Sequence, residues 1–279
     1  TILFSGFSFW KKKSFTPPGT VKIRNGFYAD RMEISNLAWL EFERHYIRKY
    51  GYHSPEHLAT LPDTLVWRAK NAYNEPYVQF YYRHPAYHEY PVVGISYEQC
   101  LAYCKWRTEA VKKQCSKFLK REIHLTYRLP SKTEWISLAG DAPPLYQNDP
   151  KYKKGKALFN HCWLKNDSMA KANDVPFNAD VTSPVNAYDR NRWGLYNMFG
   201  NVAEMVSEKG IAKGGGWRQV YEDCLPAKDL TYSSPVSWLG FRCVCIRSES
   251  GRSKDQRHSF RSRLLLRPAA RAKNLNTFT

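Results

Sequence analysis

The sequence contains no run of about 18 consecutive apolar residues, the least that a membrane-spanning helix needs. The 279 residues are therefore not expected to cross a membrane as a helix. Paired CxxC cysteines are also missing, so the seven cysteines do not have the spacing of a zinc site. Zinc-finger spacing, an RNA-binding aromatic signature and a recognition-helix pattern are all absent, and no specific nucleic-acid binding is expected.

Acidic residues are scarce, because 25 Asp and Glu stand against 43 Lys and Arg and leave a net charge of +18. The excess is uneven: residues 250–279 hold eight Lys or Arg and one Asp, a net +7. Such a balance suits nucleic acid, an anionic membrane or an acidic protein. A solvated basic surface with a basic tail is the simplest interpretation. An anionic surface bound through the tail is the functional alternative.

The sequence pattern divides the chain into three parts. Residues 1–19 are an extended lead-in, interpreted either as the remnant of a signal or lipid anchor or as an apolar strand. Residues 20–247 hold enough hydrophobic and aromatic side chains for one folded domain. Residues 248–279 lose apolar periodicity, and a basic flexible tail is predicted there.

Helix and strand signals are both present in the central part. The pairs Ser96/Gln99 and Ser131/Glu134 have the spacing of capping boxes, and the helix after the first pair is expected to end near Val111. Short alternating stretches elsewhere predict strands. The Tyr-, His- and Pro-rich stretch from residue 50 to residue 90 is predicted to be an insertion with little regular structure.

Three segments near the C-terminus carry a family resemblance. They read GLYNMFGNVAEM at 194–205, KGGGW at 213–217 and LGFRC at 239–243. Their order and spacing resemble the formylglycine-generating enzyme (sulfatase-modifying factor) family, whose members read GLYDMxGNVWEW, KGGSW and GFR. Upstream matches extend the resemblance over roughly residues 20–247. The resemblance implies an α+β fold of the variant C-type-lectin-like kind, with little regular secondary structure.

The catalytic positions of that family are only partly kept. Active members have two cysteines five residues apart after KGGSW, which bind copper(I) and oxidise a substrate cysteine with O2. The matching positions here are Gln219 and Cys224, and Gly216 replaces the serine. One sulfur does not make a two-thiolate copper site, so Cys224 is interpreted as a remnant position, copper is not expected and no catalytic residue is assigned. A structural disulfide or a buried thiol is favoured for Cys224 over a lone reactive or metal-binding cysteine, because Glu222 and Asp223 oppose thiolate formation.

The resemblance also implies a disulfide. In the family the cysteine of AYCxW pairs with that of GFRC, and these positions are Cys104 and Cys243 here. A bond that closes so long a loop contributes about 4–5 kcal/mol in the chain-entropy model, and it implies an oxidising, extracytoplasmic compartment. The alternative is two buried free thiols. Cys224 with Cys245 is a second candidate pair.

A calcium site is the third implication. The segment GNVAE, which ends at Glu204, resembles a calcium loop of the family. Asn201 and Glu204 would supply side-chain oxygens and Val202 a carbonyl, a set of hard ligands that suits Ca2+. The alternative is a turn in which Asn201 and Glu204 bond backbone groups. The second calcium loop of the family is lost, since Phe177 replaces its Asp although Asn160 matches.

Two main interpretations of function follow. The first is a non-catalytic scaffold or binding module of the cell envelope, nearest to the gliding-motility and type IX secretion lipoproteins, which share KGG-x-W-R and GFRC. Its partners would be other envelope proteins that contact the insertion. The alternative is a copper-dependent, formylglycine-generating oxidase. A third class, the binding of a sugar or peptide by a lectin-type fold with Ca2+, rests on the fold alone.

Overall fold

The computed structural model describes residues 15–68, 73–141, 159–160 and 181–248. These residues form helices and short strands, which confirms the predicted mixture of helix and sheet. The lead-in up to residue 14, the basic tail beyond residue 248 and Phe177 lie outside the described residues. No helix in the described ranges is both long enough and apolar enough to pass through a membrane.

Along the described chain, two strands precede four helices, a strand and a further helix follow, and the remaining strands come last. The helices are α1 (Asn36–Tyr50), α2 (Pro55–Leu58), α3 (Glu75–Phe80), α4 (Tyr97–Leu119) and α5 (Lys132–Ala139). The strands are β1 (Thr20–Arg24), β2 (Phe27–Asp30), β3 (Leu125–Arg128), β4 (Ala203–Met205), β5 (Ile211–Lys213), β6 (Leu230–Thr231), β7 (Leu239–Gly240) and β8 (Val244–Arg247). Single 3₁₀ turns lie at Thr64–Trp67, Pro85–Tyr87 and Tyr221–Cys224.

The strands form two four-stranded sheets. In the first sheet the order is β1-β2-β8-β3, and all neighbours are antiparallel. In the second the order is β6-β5-β4-β7, and only β4 and β7 are parallel. Because β7 and β8 follow each other in the chain, the segment between them passes from one sheet to the other. That segment carries Arg242 and Cys243 of the LGFRC motif.

The predicted capping boxes form as the sequence indicates. The Ser96 hydroxyl accepts from the backbone N–H of Gln99 at 3.2 Å, and the Gln99 side chain accepts from the Ser96 N–H at 2.8 Å. Ser131 and Glu134 make the same pair of bonds at 3.1 and 2.9 Å. Each box satisfies two backbone donors that the first turn of a helix leaves unpaired.

Helix α4 runs to Leu119, well beyond the predicted end near Val111. That prediction was wrong because Val111 and Cys115, one turn apart, both lie in the core and prolong the buried stripe of the helix. The helix ends at Lys120, where a left-handed backbone with φ of 51° stops it.

The insertion is more regular than predicted, since it holds α2, α3 and two 3₁₀ turns. Helix α2 begins after Ser54, whose hydroxyl accepts from the backbone N–H of His57 at 3.1 Å. Tyr81 is buried, and its hydroxyl donates to the Pro91 carbonyl at 2.7 Å. The prediction of little regular structure was wrong because local caps and buried aromatic rings order a stretch whose composition is typical of loops.

An aromatic cluster joins α1 and α4 to the segment between the sheets. The rings of Trp39 and Tyr103 stack with centroids 5.4 Å apart and planes 5° apart. Phe241 meets both rings edge-on, at 6.0 and 5.5 Å. Stacked and edge-on pairs stabilise a core beyond the area that they bury. The cluster therefore holds α4 against the segment that carries Arg242 and Cys243.

Candidate functional site

The loop with the sequence KGGGW packs directly on Cys224. Gly215 of this loop has a φ of 64°, and a Cβ on it would lie 2.3 Å from the Cys224 Sγ, so only glycine allows this approach. Cys224 is fully buried, and its thiol donates to the Val220 carbonyl at 3.4 Å. Burial, and then the charge of Asp223, raise the pKa of the Cys224 thiol well above its usual value. The side chain is therefore a protonated thiol at neutral pH.

Gln219 and Gly216 hold the two positions at which the chain departs from the active members of the family. The Gln219 side-chain oxygen is buried with no hydrogen-bond partner among the described residues. A Cβ on Gly216 would lie 2.9 Å from the Trp238 carbonyl oxygen and 3.1 Å from that of Asn201. A serine at position 216 would therefore require the backbone to shift, a constraint that the sequence does not reveal.

The structure brings Cys104 and Cys243 together. Their Sγ atoms are 3.5 Å apart, and both side chains are buried. A disulfide is about 2.05 Å long, and the structure holds the two residues as free thiols, so the bond itself stays a prediction. Cys224 and Cys245 are also free thiols, and Cys245 pairs across the sheet with Tyr127.

A buried ion pair connects two of the family motifs. The Arg242 Nε donates to both oxygens of Glu204 at 2.7 Å, and both side chains are fully buried. The indole of Trp135 donates to the same carboxylate at 2.7 Å, and Arg242 also donates to the Tyr196 carbonyl at 2.8 Å. A buried carboxylate needs such a set of donors, because an unpaired charge in the interior is very costly.

A second buried carboxyl, Glu33, lies beside this pair. It accepts from the side-chain amides of Asn201 at 2.9 Å and Asn197 at 3.1 Å. Burial raises the pKa of Glu33 to about 8, the charge of Arg242 lowers it in part, and the charge of Glu204 raises it further. Glu33 therefore carries a proton at neutral pH, which is unusual for a carboxyl group.

The residues predicted to bind calcium have protein partners instead. The Asn201 side-chain oxygen accepts from the Ser183 backbone N–H at 2.7 Å, and Glu204 is held by Arg242. Val202 lies between them and is buried. A guanidinium on the carboxylate repels a second cation, so the donor set as arranged does not fit Ca2+. Calcium binding stays a prediction that would need these side chains to change partners.

A further buried ion pair, between Asp30 and Arg107, was not predicted from the sequence. Both terminal nitrogens of Arg107 donate to Asp30, at 2.6 and 2.7 Å, and the Cys243 backbone N–H donates to the same carboxylate at 2.9 Å. A signal was present for Arg107, since it directly follows the AYCKW segment, which resembles the AYCxW segment of the family. The partners are far apart in the chain, and spacing alone does not pair them.

Comparison with known proteins then decides the family. The sulfatase-modifying factor enzyme 1-like domain matches residues 3–246, which is most of the chain. The chain belongs to this family. The resemblance drawn from the motifs at 194–205, 213–217 and 239–243 is thus confirmed at the level of the family.

Individual relatives of the sulfatase-modifying factor family are distant. The formylglycine-generating enzyme of Mus musculus is 23% identical over 271 residues, which cover 79% of this chain and 66% of that protein. The chain thus spans just under two thirds of the length of this relative. Among solved structures, PvdO from Pseudomonas aeruginosa is similar with 17% identity, a TM-score of 0.48 and 80% of each chain covered. Treponema denticola variable protein 1 and CarF are also similar, each with 16% identity, a TM-score of 0.43 and 80% of this chain covered. The match covers 84% of Treponema denticola variable protein 1 and 87% of CarF.

In this sulfatase-modifying factor domain, we expect the oxidised protein to contain a disulfide between Cys104 and Cys243. Their sulfurs are 3.5 Å apart and need to approach by about 1.5 Å, and non-reducing peptide mapping should recover the linked peptides. Cys104→Ala should lower the stability of the oxidised protein by about 2–5 kcal/mol more than that of the reduced protein. The matched control is Cys115→Ala, also buried in α4, which should keep the linked pair. Free labelling of both thiols in the unreduced, folded protein would contradict the bond.

We also expect the stability of the domain to fall as the pH rises from about 5 to 8, through Glu33. The folded state keeps the proton on Glu33 up to about pH 8, whereas the unfolded state loses it near 4.5. Folding then takes up a proton, so the free energy of unfolding decreases by about 1.4 kcal/mol per pH unit from this group. Glu33→Gln removes this contribution, and urea unfolding at several pH values should show a flatter profile than the parent.

The control for this pH profile is Glu109→Gln, which changes an exposed carboxyl on α4. Its profile should run parallel to that of the parent. Parallel profiles for the parent and Glu33→Gln would instead show that Glu33 is ionised in the folded state.

Proposed function

We propose that the chain is a non-catalytic member of its family that serves as a binding module in the cell envelope, in a gliding-motility or type IX protein-secretion machine. The proposal that the chain is non-catalytic is supported by Gln219 and Cys224, which lie at the positions of the two copper-binding cysteines in active members of the family. An amide oxygen does not replace a thiolate as a soft, anionic ligand of copper(I). One sulfur leaves the metal site incomplete.

Cys224 alone does not supply the chemistry either. The thiolate, not the thiol, is the nucleophile and the metal ligand. Cys224 is fully buried beneath Gly215, and burial holds its pKa well above neutrality. A substrate thiol would have to reach a protonated sulfur inside the core.

Exposed apolar side chains on the insertion support a binding role. Among the described residues between 50 and 80, six large ones are exposed, with exposed fractions from 42% to 84%: Tyr50, Tyr52, Leu58, Leu65, Tyr73 and Phe80. Aromatic side chains are enriched in protein interfaces. We assign this surface to contact with another envelope protein.

The placement in the cell envelope has two supports. The adjacent sulfurs of Cys104 and Cys243 are arranged for a disulfide, which persists in an oxidising, extracytoplasmic compartment. The segments KGGGWR at 213–218 and LGFRC at 239–243 resemble those of the gliding-motility and secretion lipoproteins. The proposal includes an N-terminal lipid anchor and contact of the basic tail with an anionic surface.

The catalytic half is tested by an oxidase assay. The protein is incubated with copper(I), O2 and a sulfatase-motif peptide, and mass spectrometry follows loss of the cysteine thiol and gain of the aldehyde. We expect no aldehyde, while the mouse formylglycine-generating enzyme under the same conditions serves as the positive control. Turnover that disappears on Cys224→Ala would overturn the proposal in favour of the oxidase.

The binding half is tested by photo-crosslinking in intact cells. A photoreactive amino acid is placed at Tyr73, which is 84% exposed on the insertion, or at Leu101, which is 43% exposed on α4 and serves as the matched control. We expect a discrete crosslinked envelope protein from position 73 and none from position 101. Equal crosslinking from both positions, or none from either, would contradict a docking surface on the insertion.

A further inference from the structure

A cavity of about 370 Å³ lies between helix α1 and the insertion. Leu40 and Ile47 of α1 and Pro85 of the insertion form the apolar part of its wall. Tyr52, which belongs to the exposed apolar surface of the insertion, also lines it. The ring of Tyr52 stacks on that of His57, with centroids 5.0 Å apart and planes 28° apart. The cavity therefore adjoins the surface that we assign to contact with an envelope protein.

Glu43 is the single carboxylate among the described residues that line this cavity, and its charge is compensated within the protein. Its side chain is 1% exposed and accepts from the Arg83 guanidinium at 2.8 Å and from the Tyr82 hydroxyl. The His57 Nε2 donates to it at 3.1 Å, since the His57 Nδ1 accepts from the His53 backbone N–H at 3.0 Å. Burial acts to raise the pKa of Glu43, but these hydrogen bonds together hold it below its usual value. Glu43 is therefore ionised and paired with Arg83.

Two arginines line the same cavity and make its charge positive. Arg83 pairs with Glu43 through one terminal nitrogen, and its guanidinium also lies over the Tyr82 ring, 4.9 Å from the centroid. These two contacts hold Arg83 in place, although its side chain stays 52% exposed. Arg44 is exposed and forms no hydrogen bond or ion pair with another residue of the described ranges. The described wall thus carries two guanidinium groups against one carboxylate.

This combination of charge and apolar wall fits an organic anion. A guanidinium in a partly closed cavity attracts an anion more strongly than one on an open surface, because less water screens the pair. Its planar group of donors matches the two oxygens of a carboxylate. Since Leu40 and Ile47 lie in the same wall, the cavity suits a carboxylate that is joined to an apolar group.

We propose that this cavity receives an acidic side chain of the envelope protein that docks on the insertion. The carboxylate of that protein pairs with Arg44 and with the remaining nitrogens of Arg83, and an adjacent apolar side chain packs on Leu40. A protein segment is favoured over a free small anion because Tyr52 makes the cavity continuous with the exposed apolar surface. The inference rests on the proposed docking surface and specifies the chemistry of its partner.

The test repeats the photo-crosslinking from position 73 in intact cells, with charge variants at Arg44. Arg44→Glu should lower the yield of the crosslinked protein by about fivefold or more, because a like charge then faces the carboxylate of the docking protein. Arg44→Gln should lower the yield less, and Arg44→Lys, which keeps the positive charge, should retain most of it. Arg83 is left unchanged, since the buried Glu43 carboxylate needs its guanidinium.

Lys49→Glu is the matched control, because it makes the same change of charge at an exposed position of α1 outside the cavity. Its crosslink yield should equal that of the parent. Urea unfolding of each variant checks the fold, and the midpoints should stay close to that of the parent because both side chains are exposed. Arg44→Gln decides the question if Arg44→Glu does not fold.

The outcomes separate this inference from the proposed function. No crosslink from position 73 in the parent would contradict the docking surface, and the inference would fall with it. A crosslink that Arg44→Glu leaves unchanged, or that Lys49→Glu lowers equally, keeps the docking surface and overturns the acidic partner. An unchanged crosslink together with saturable binding of 3-phenylpropanoate that is lost in Arg44→Glu would assign the cavity to a small anion instead.

Discussion

Replacing Arg242 by methionine should lower the free energy of unfolding by about 3–5 kcal/mol. The substitution leaves the Glu204 carboxylate fully buried, with the Trp135 indole as its remaining hydrogen-bond donor among the described residues. Arg242 also donates to the Tyr196 carbonyl in a partly buried hydrogen bond, so a second acceptor loses this donor. A single change thus removes the buried ion pair between the 194–205 motif and LGFRC, whose strands β4 and β7 are also paired.

Urea unfolding measures this loss of stability, and two further variants show whether the broken ion pair causes it. Arg218→Met is the matched control, because Arg218 is exposed beside Trp217, and it should stay within about 0.5 kcal/mol of the parent. Arg242→Met combined with Glu204→Gln removes both charges and should recover part of the loss. If Arg242→Met is no more destabilising than Arg218→Met, the ion pair is not a main support of the fold.

Gln219→Cys should create copper(I) binding more than about tenfold tighter than that of the parent. The substitution supplies the second soft thiol five positions before Cys224 and removes a buried amide oxygen that has no hydrogen-bond partner in the described part of the chain. Gly216 is left unchanged, because a Cβ there would lie 2.9 Å from the Trp238 carbonyl oxygen. Competition with a copper(I) chelator under reducing conditions, which also prevent a disulfide between the two thiols, measures the affinity.

The control is Gln219→Cys combined with Cys224→Ala, which again has one thiol and should return to the affinity of the parent. If this double variant binds as tightly as Gln219→Cys, the new thiol acts without Cys224. No gain in Gln219→Cys itself would show that the burial of Cys224 keeps the two sulfurs apart.

Local features of the fold were predictable from the sequence. The boxes at Ser96/Gln99 and Ser131/Glu134 form because their bonds join groups three residues apart, so that neighbouring residues alone decide them. The end of α4 was not predictable, since burial of Cys115 in the tertiary core extends the helix. The insertion was predicted to have little regular structure because of its composition. Its buried aromatic rings nevertheless order it.

The candidate site divides in the same way. The motif itself showed that Gln219 and Gly216 differ from the active members of the family. The resemblance to the family predicted the Cys104/Cys243 pair. Two features of the site could not be predicted from the sequence: the lack of space for a serine at position 216 and the burial of the Cys224 thiol. Both depend on which segments, distant in the chain, pack against these positions.

The sequence by itself determined the family, the mixture of helix and sheet, the starts of α4 and α5 and the loss of one copper ligand, since these depend on residue identity and on spacing along the chain. Only the tertiary structure decided the partners of the buried charges. Glu204, predicted as a calcium ligand, bonds Arg242, which lies 38 residues later. Glu33 keeps a proton because the fold removes it from water beside that pair. Contacts between segments that are far apart in the chain determine which groups lose water and which charges lie next to them. No local sequence pattern encodes these contacts.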